Sequence, residues 1–228
     1  MSTAQPLTPA LTSRLFRARL ANAFAFLSSG FGMGIWATHI PVVRARLGLD
    51  PAVLGIALFV MAFAATITMP LAGMALGRFG SRPTTAALML AFAAFLPLPL
   101  LAGSIPAFFA GLFVFGMTIG ALDVSMNLQA TEIEASRGRP TMSSFHGFYS
   151  LGGLIGAALG AAVIASGWGD GRGAALLAAV LFTVAILASF NLWPTARAVD
   201  AGPRFALPNR PRSLSVWSSC FASASKAR

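Results

Sequence analysis

Apolar residues gather into six long runs along this chain, separated by short segments rich in arginine, glycine and proline. The runs cover residues 20–41, 51–76, 84–102, 105–130, 144–166 and 173–193. Each holds about the 20 residues that cross roughly 30 Å of hydrocarbon at 1.5 Å per residue. Lipid offers no partner for free backbone groups, so runs of this length are predicted to be helices. Membrane β-strands would alternate in polarity over about 10 residues, and that alternation is absent here. The turn formers Gly48, Pro51, Gly103, Pro106, Gly167 and Gly173 mark three of the connections. The pattern predicts an all-α membrane protein of six transmembrane helices, with residues 1–19 before the bundle and a basic tail, 194–228, after it.

The first run follows Arg14, Arg17 and Arg19, as the apolar core of a signal peptide would. It is longer than the 7–15 residues of such a core, so it reads as a retained helix. Composition agrees with a lipid environment. Hydrophobic residues make up 57% of the chain, charged residues 10%, and the mean hydropathy is +0.77. A soluble domain carries about 25% charged residues, and this chain has too few to cover a globule.

The net charge of +10 raises the question of nucleic acid. The arginines form no binding stripe; they sit between the apolar runs, as membrane insertion selects, and no nucleic-acid partner is expected. With the N terminus inside, every basic residue is cytoplasmic except Arg44, Arg46 and Arg172. The positive-inside rule therefore predicts that both termini are cytoplasmic. A single cysteine, Cys220, excludes an intramolecular disulfide. No phosphate-binding loop or metal-ligand cluster is present, and the two histidines, His39 and His146, lie far apart in the chain. The chain is not expected to be an enzyme, nor to bind a metal or cofactor. Without an ATP-binding motif, a gradient-driven carrier is favoured over a pump.

Asp123 is the most informative polar residue within a span. A charged side chain deep in a membrane helix costs about 2.5–3.5 kcal/mol, so it tends to face a cavity or a partner. Gly116, Gly120, Asp123 and Asn127 recur at three- and four-residue spacing and share a face, expected to point inward. Asp123 and Asn127 are candidates to line a pathway, with Asp123 as a protonation site. The alternative is a packing hydrogen bond to a neighbouring helix. Asn22, His146 and Tyr149 are further pathway candidates, and Trp36 reads as an interfacial anchor. Gly152, Gly156 and Gly160 form two successive G-x-x-x-G steps, which favour close helix packing. Pro70, Pro97 and Pro99 are expected to kink the second and third spans.

Between the second and third spans lies Gly73-Met-Ala-Leu-Gly77-Arg78-Phe-Gly80-Ser81-Arg82-Pro83. Gly73 and Gly77 would let two helix ends approach, Gly80 would permit a tight turn, and Arg78 and Arg82 could reach helix-end carbonyls or acids. This segment resembles the G-x-x-x-D-R-x-G-R-R loop of the major facilitator superfamily, at the same place in the chain. The acidic fifth position of that pattern is Gly77 here, so the charge pair the acid makes in the family has no counterpart at this position. Gly120 to Gln129 and Ser143 to Gly153 are similar to the fucose permease-like branch and related bacterial inner-membrane members. There, an acid in the fourth helix lies in the central cavity and is implicated in proton-coupled sugar uptake. The acid which that branch also carries in its first helix is missing here.

The resemblance implies the N-terminal half of a superfamily fold, a 3+3 inverted repeat, in a bacterial inner membrane. It implies a secondary transporter moving a small solute, with a sugar and protons as candidates, by alternating access. One half provides one wall of a cavity, so a second transporter half or a homodimer partner would be needed. From about Pro203 glycine vanishes and serine and arginine accumulate, with Lys226 and Cys220. This predicts either a disordered basic tail or a shift of reading frame near Asn209 to Arg212. Two other functions stay open: an inactive truncated transporter, and a six-helix structural or assembly partner in a membrane complex.

Overall fold

The computed structural model describes residues 9–169 and 171–194. Its elements are α1 (Pro9–Leu47), α2 (Pro51–Phe79), α3 (Ser81–Phe95), α4 (Pro97–Leu101), α5 (Ile105–Arg137), α6 (Met142–Val163) and α7 (Arg172–Ser189). A π-helical segment, Ile164–Trp168, extends α6, and α3 with α4 forms a single span from Ser81 to Leu101. Six helices are thus long and apolar enough to cross a membrane, and no strand occurs among the described residues.

Several helices outrun the apolar runs. The 39 residues of α1 begin at Pro9, inside the segment expected to precede the bundle. At 1.5 Å per residue it is about 58 Å long, well beyond roughly 30 Å of hydrocarbon. The predicted kinks differ from each other: Pro70 sits inside an unbroken α2, whereas α3 ends at Phe95 and α4 restarts at Pro97. The expected tail, with Cys220 and Lys226, lies outside the described residues beyond Pro194.

The helix boundaries follow local chemistry. Asp50 caps α2, its carboxylate accepting from the amides of Ala52 and Val53 at 2.8 and 2.9 Å. Pro51 takes the first helical position, where its missing N–H costs nothing. Gly80 has φ +88°, a conformation few side chains tolerate, and joins α2 to α3 with no longer loop. Glu134, near the end of α5, reaches across the turn and accepts from the amides of Thr141 and Met142 at 2.5 and 2.7 Å. It thereby satisfies donors that the start of α6 would leave unpaired.

The core is arranged around α1. Phe26, Ile35 and Trp36 on α1 are buried, against Phe92 of α3 and Phe108, Leu112 and Phe115 of α5. Trp36 is 1% exposed, with ring centroids 6.1 Å from Phe108 and 6.3 Å from Phe115. It is therefore a core residue and not the interfacial anchor expected, because α1 is enclosed by other helices at that depth. The main helix partners are α1 with α6 and α2 with α5, followed by α3 with α5 and α3 with α7.

The two main pairs meet backbone to backbone. A β-carbon at Gly152 or Gly156 of α6 would fall 2.0 Å from the Leu27 carbonyl oxygen or 2.1 Å from that of Phe31. Gly30 and Gly34 of α1 answer from the other side, where a β-carbon would fall 2.0 and 2.3 Å from the carbonyl oxygens of Tyr149 and Gly153. Gly160 is close to the Thr38 hydroxyl. In the second pair, Gly116 and Gly120 of α5 lie against the carbonyls of Met61 and Ala65 on α2. Both glycines of the face expected to point inward are thus buried, and occupied by helix packing.

Polar side chains tie both ends. Arg46 donates to the carbonyls of Leu100 and Ala102 at 2.6 and 3.0 Å, holding the end of α4 to α1. At the opposite end, Arg82 donates to the Phe190 carbonyl at 2.9 Å, and Arg19 to the Ser144 hydroxyl at 3.2 Å. Gln129 pairs with the backbone of Trp193, its amide donating to the carbonyl at 2.9 Å and its oxygen accepting from the N–H at 3.1 Å.

Candidate functional site

Asp123, Asn127, His146 and Tyr149 are brought together by α5 and α6. Asp123 and Asn127 are one turn apart on α5, and both are half-buried. The Asn127 amide donates to the Asp123 backbone carbonyl at 2.8 Å and to its carboxylate at 3.2 Å. That pins one carboxylate oxygen by a partner on the same helix and binds no neighbouring helix. The facing positions on α6 are His146, exposed, and Tyr149, half-buried; both lie within electrostatic range of Asp123. The His146 ring stands edge-on to Phe26 of α1, with centroids 5.4 Å apart, and Phe26 stacks on Phe145. The imidazole is thereby held against an aromatic pair.

The chemistry available here is proton exchange and hydrogen bonding. The set offers a carboxylate, an imidazole, a phenol and an amide. No group of three or more histidine, cysteine, aspartate or glutamate side chains able to hold a metal occurs among the described residues.

Asn22 is placed differently. It is fully buried on α1 and donates to the Met126 carbonyl of α5 at 3.2 Å, while its oxygen has no partner. It joins α1 to α5 behind the cluster and lines no open wall. His39 is also buried, with Nδ1 2.8 Å from the Ile35 carbonyl oxygen.

The loop between α2 and α3 divides in the same way. Gly80 makes the turn and Arg82 reaches the helix-end carbonyl of Phe190. Arg78 lies 5.2 Å from the ring centroid of its neighbour Phe79. Gly73 and Gly77 have nothing within 4 Å of where a β-carbon would stand, so the expected close approach of helix ends is absent at both. Reasoning from sequence missed Ser81 and Glu132. The Ser81 hydroxyl donates to the Glu132 carboxylate at 2.9 Å and lies 2.7 Å from the Gln129 amide. Their signal was three polar residues near the ends of two spans.

Five apolar helices packed with a largely buried first helix, with ionisable side chains on two of them, define a multi-pass membrane bundle. The chain belongs to the Major Facilitator Superfamily, whose sequence profile matches residues 22–225. It is 37% identical over 196 residues to an uncharacterized MFS-type transporter of Yersinia pestis, covering 83% of this chain and 50% of that protein. It is 35% identical over 138 residues to an uncharacterized transporter of Sinorhizobium fredii, 60% of this chain and 37% of the relative. The membrane protein MosC of Rhizobium meliloti is 37% identical over 136 residues, 60% of this chain and 33% of its own length. The chain spans about half the length, or less, of these relatives. The family and the helices make it a multi-pass membrane protein carrying half of the superfamily fold.

Proposed function

We propose that this chain forms one wall of a secondary transporter that moves a small solute by alternating access, with Asp123 as its proton-responsive group. The observation that carries the reading is the cluster of Asp123, Asn127, His146 and Tyr149 across α5 and α6. A carboxylate at that depth is expensive to keep in lipid, and alternating access works through sites near the bilayer midplane. The opposite wall is supplied by a second six-helix half, either a separate stretch of protein or a second copy of this chain. Both termini lie on the cytoplasmic side of a bacterial inner membrane, as the arginine distribution favours. Sugars are the first solutes to screen, because the α5 and α6 segments resemble the sugar-transporting branch.

The test has two stages. Purified protein is screened against sugars for a rise in unfolding temperature. Any sugar that stabilises it is then followed as a radiolabelled solute into proteoliposomes under an imposed pH gradient, with the complementary half coexpressed. Asp123→Asn is expected to abolish the dependence on the gradient while leaving the fold intact. Unchanged uptake with unchanged pH dependence in that variant would remove Asp123 from the mechanism. Copurification with a stable membrane complex and no uptake would support an assembly role instead.

A further inference from the structure

The bundle end that carries the start of α1 holds a basic pocket unused by the transport reading. It encloses about 180 Å³ and is lined by Arg14, Arg17, Arg82 and the turn at residues 190–194. No acidic side chain lines it among the described residues. Arg82 donates to the Phe190 carbonyl, and Gln129 pairs in both directions with Trp193, so its far wall is tethered twice. A guanidinium has five N–H donors, which leaves Arg82 able to bind a ligand while holding that wall.

A second cavity of about 280 Å³ shares Arg17 and Asn191 with the first and runs between α1 and α7. Its other walls are apolar, with Leu20 and Phe24 on α1 and Val184 and Leu187 on α7. On α1, Arg14, Arg17, Leu20, Ala21 and Phe24 recur at three- and four-residue spacing, so charge and oil form one continuous stripe. From Arg17 to Phe24 the stripe runs about 10 Å along the helix axis. Leu20, Phe24 and Leu187 are all exposed, open to whatever lies against the helices.

A soluble anion would use the three guanidinium groups and leave the groove empty. An uncharged acyl chain would fill the groove and ignore the arginines. A molecule that matches both has an anionic phosphate joined to hydrocarbon. We propose that Arg14, Arg17 and Arg82, with the groove between α1 and α7, bind an anionic phospholipid, its headgroup among the arginines and one acyl chain along the groove. The site is independent of what the bundle carries. Bound there, the lipid bridges the start of α1 to the end of α7, the first and last spans of the half.

The test uses the full chain in a mild, neutral detergent. Thermal unfolding and native mass spectrometry are followed with added dioleoylphosphatidylglycerol, dioleoylphosphatidylcholine or inorganic phosphate. Phosphatidylglycerol is expected to raise the unfolding temperature and leave one retained adduct, while the other two do neither. Basic residues at a membrane surface are worth roughly fivefold in affinity each, so R14Q/R17Q should weaken retention by about 25-fold, and R14K/R17K should keep most of it. Leu187→Asn should weaken retention of phosphatidylglycerol through the acyl chain alone. If R14Q/R17Q does not stay monodisperse, Arg17→Gln is read in the same way, since Arg17 borders both cavities. Equal retention of phosphatidylcholine, a full shift from inorganic phosphate alone, or wild-type retention by the glutamine variants would each overturn the proposal.

Discussion

Gly156→Ala tests whether backbone contact between α1 and α6 is what holds this bundle together. The added β-carbon would sit 2.1 Å from the Phe31 carbonyl oxygen and 2.8 Å from its carbon, where ordinary contact begins at 3.4 Å. The obstacle is backbone within a helix, so no side chain can rotate away. The two helices must separate by about 1.3 Å locally, and every contact along the seam loosens with them. Overpacking of this kind costs about 1–3 kcal/mol, and the better helix propensity of alanine returns up to about 1. A net loss of about 1–2 kcal/mol is expected, or a fall in unfolding temperature of ~2–8 °C for a chain of this size.

Two comparisons make the test strict. Gly77→Ala adds the same methyl group to a helix at a position with nothing within 4 Å, so its unfolding temperature should hold or rise slightly. The double variant G152A/G156A should lose less than the sum of its parts. The first substitution already moves the helices apart and so relieves the second clash. The assay is thermal unfolding of purified protein in detergent, with helix content as the control for a folded start. Equal shifts for Gly156→Ala and Gly77→Ala, or full additivity in the double variant, would refute the argument.

Two further outcomes are expected. Gln129→Ala removes both bonds to the half-buried Trp193 backbone and the contact with Ser81, which keeps its bond to Glu132. Loss of about 1–3 kcal/mol is expected, with faster limited proteolysis near residues 190–194 as the local readout. Trp36 is enclosed by Phe108 and Phe115, so Trp36→Ala should destabilise by about 3–5 kcal/mol. In a variant with the other three tryptophans replaced by phenylalanine, its fluorescence should resist both aqueous and lipid-borne quenchers, and ready quenching by brominated lipid would return it to the interface.

The fold was legible in the sequence because lipid leaves backbone groups no partner but themselves. A run of 20 apolar residues then has one solution, and six runs place six helices. Which face each helix buries was harder to read. In water the polar side of a helix marks the outside, but in lipid both sides are apolar, and Trp36 could be assigned to an interface as readily as to the core. The candidate site was legible in part. Asp123 and Asn127 were visible as polar residues at helical spacing, and His146 and Tyr149 as a polar turn on the next span. That they face one another depends on how α5 and α6 pack, and no spacing along one helix carries that. Asn22 was misplaced for the same reason: its polarity was plain, but not that Met126 waits behind it.

The inverted repeat had left more trace in the sequence than identity between the two halves would show. Spans one to three correspond to spans four to six if the first helix of each set packs on the second helix of the other. The structure has that arrangement: α1 lies on α6, the fifth span, and α5, the fourth span, lies on α2. The first helix of each set carries a G-x-x-x-G step at the seam, Gly30 and Gly34 on α1 and Gly116 and Gly120 on α5. Both steps put their glycines against partner carbonyls at 2.0–2.3 Å from a notional β-carbon. The likeness stops at the partner. α6 returns glycines of its own, Gly152 and Gly156, whereas α2 offers the backbone of Met61 and Ala65. The α1–α6 seam is therefore glycine on both sides, and it passes beside His146 and Tyr149 on α6. Where its glycines bring the two backbones into contact the seam cannot compress, so α1 and α6 should move as one body. Any rearrangement around Asp123 then falls to the looser boundary between α5 and α6, where the ionisable groups face each other.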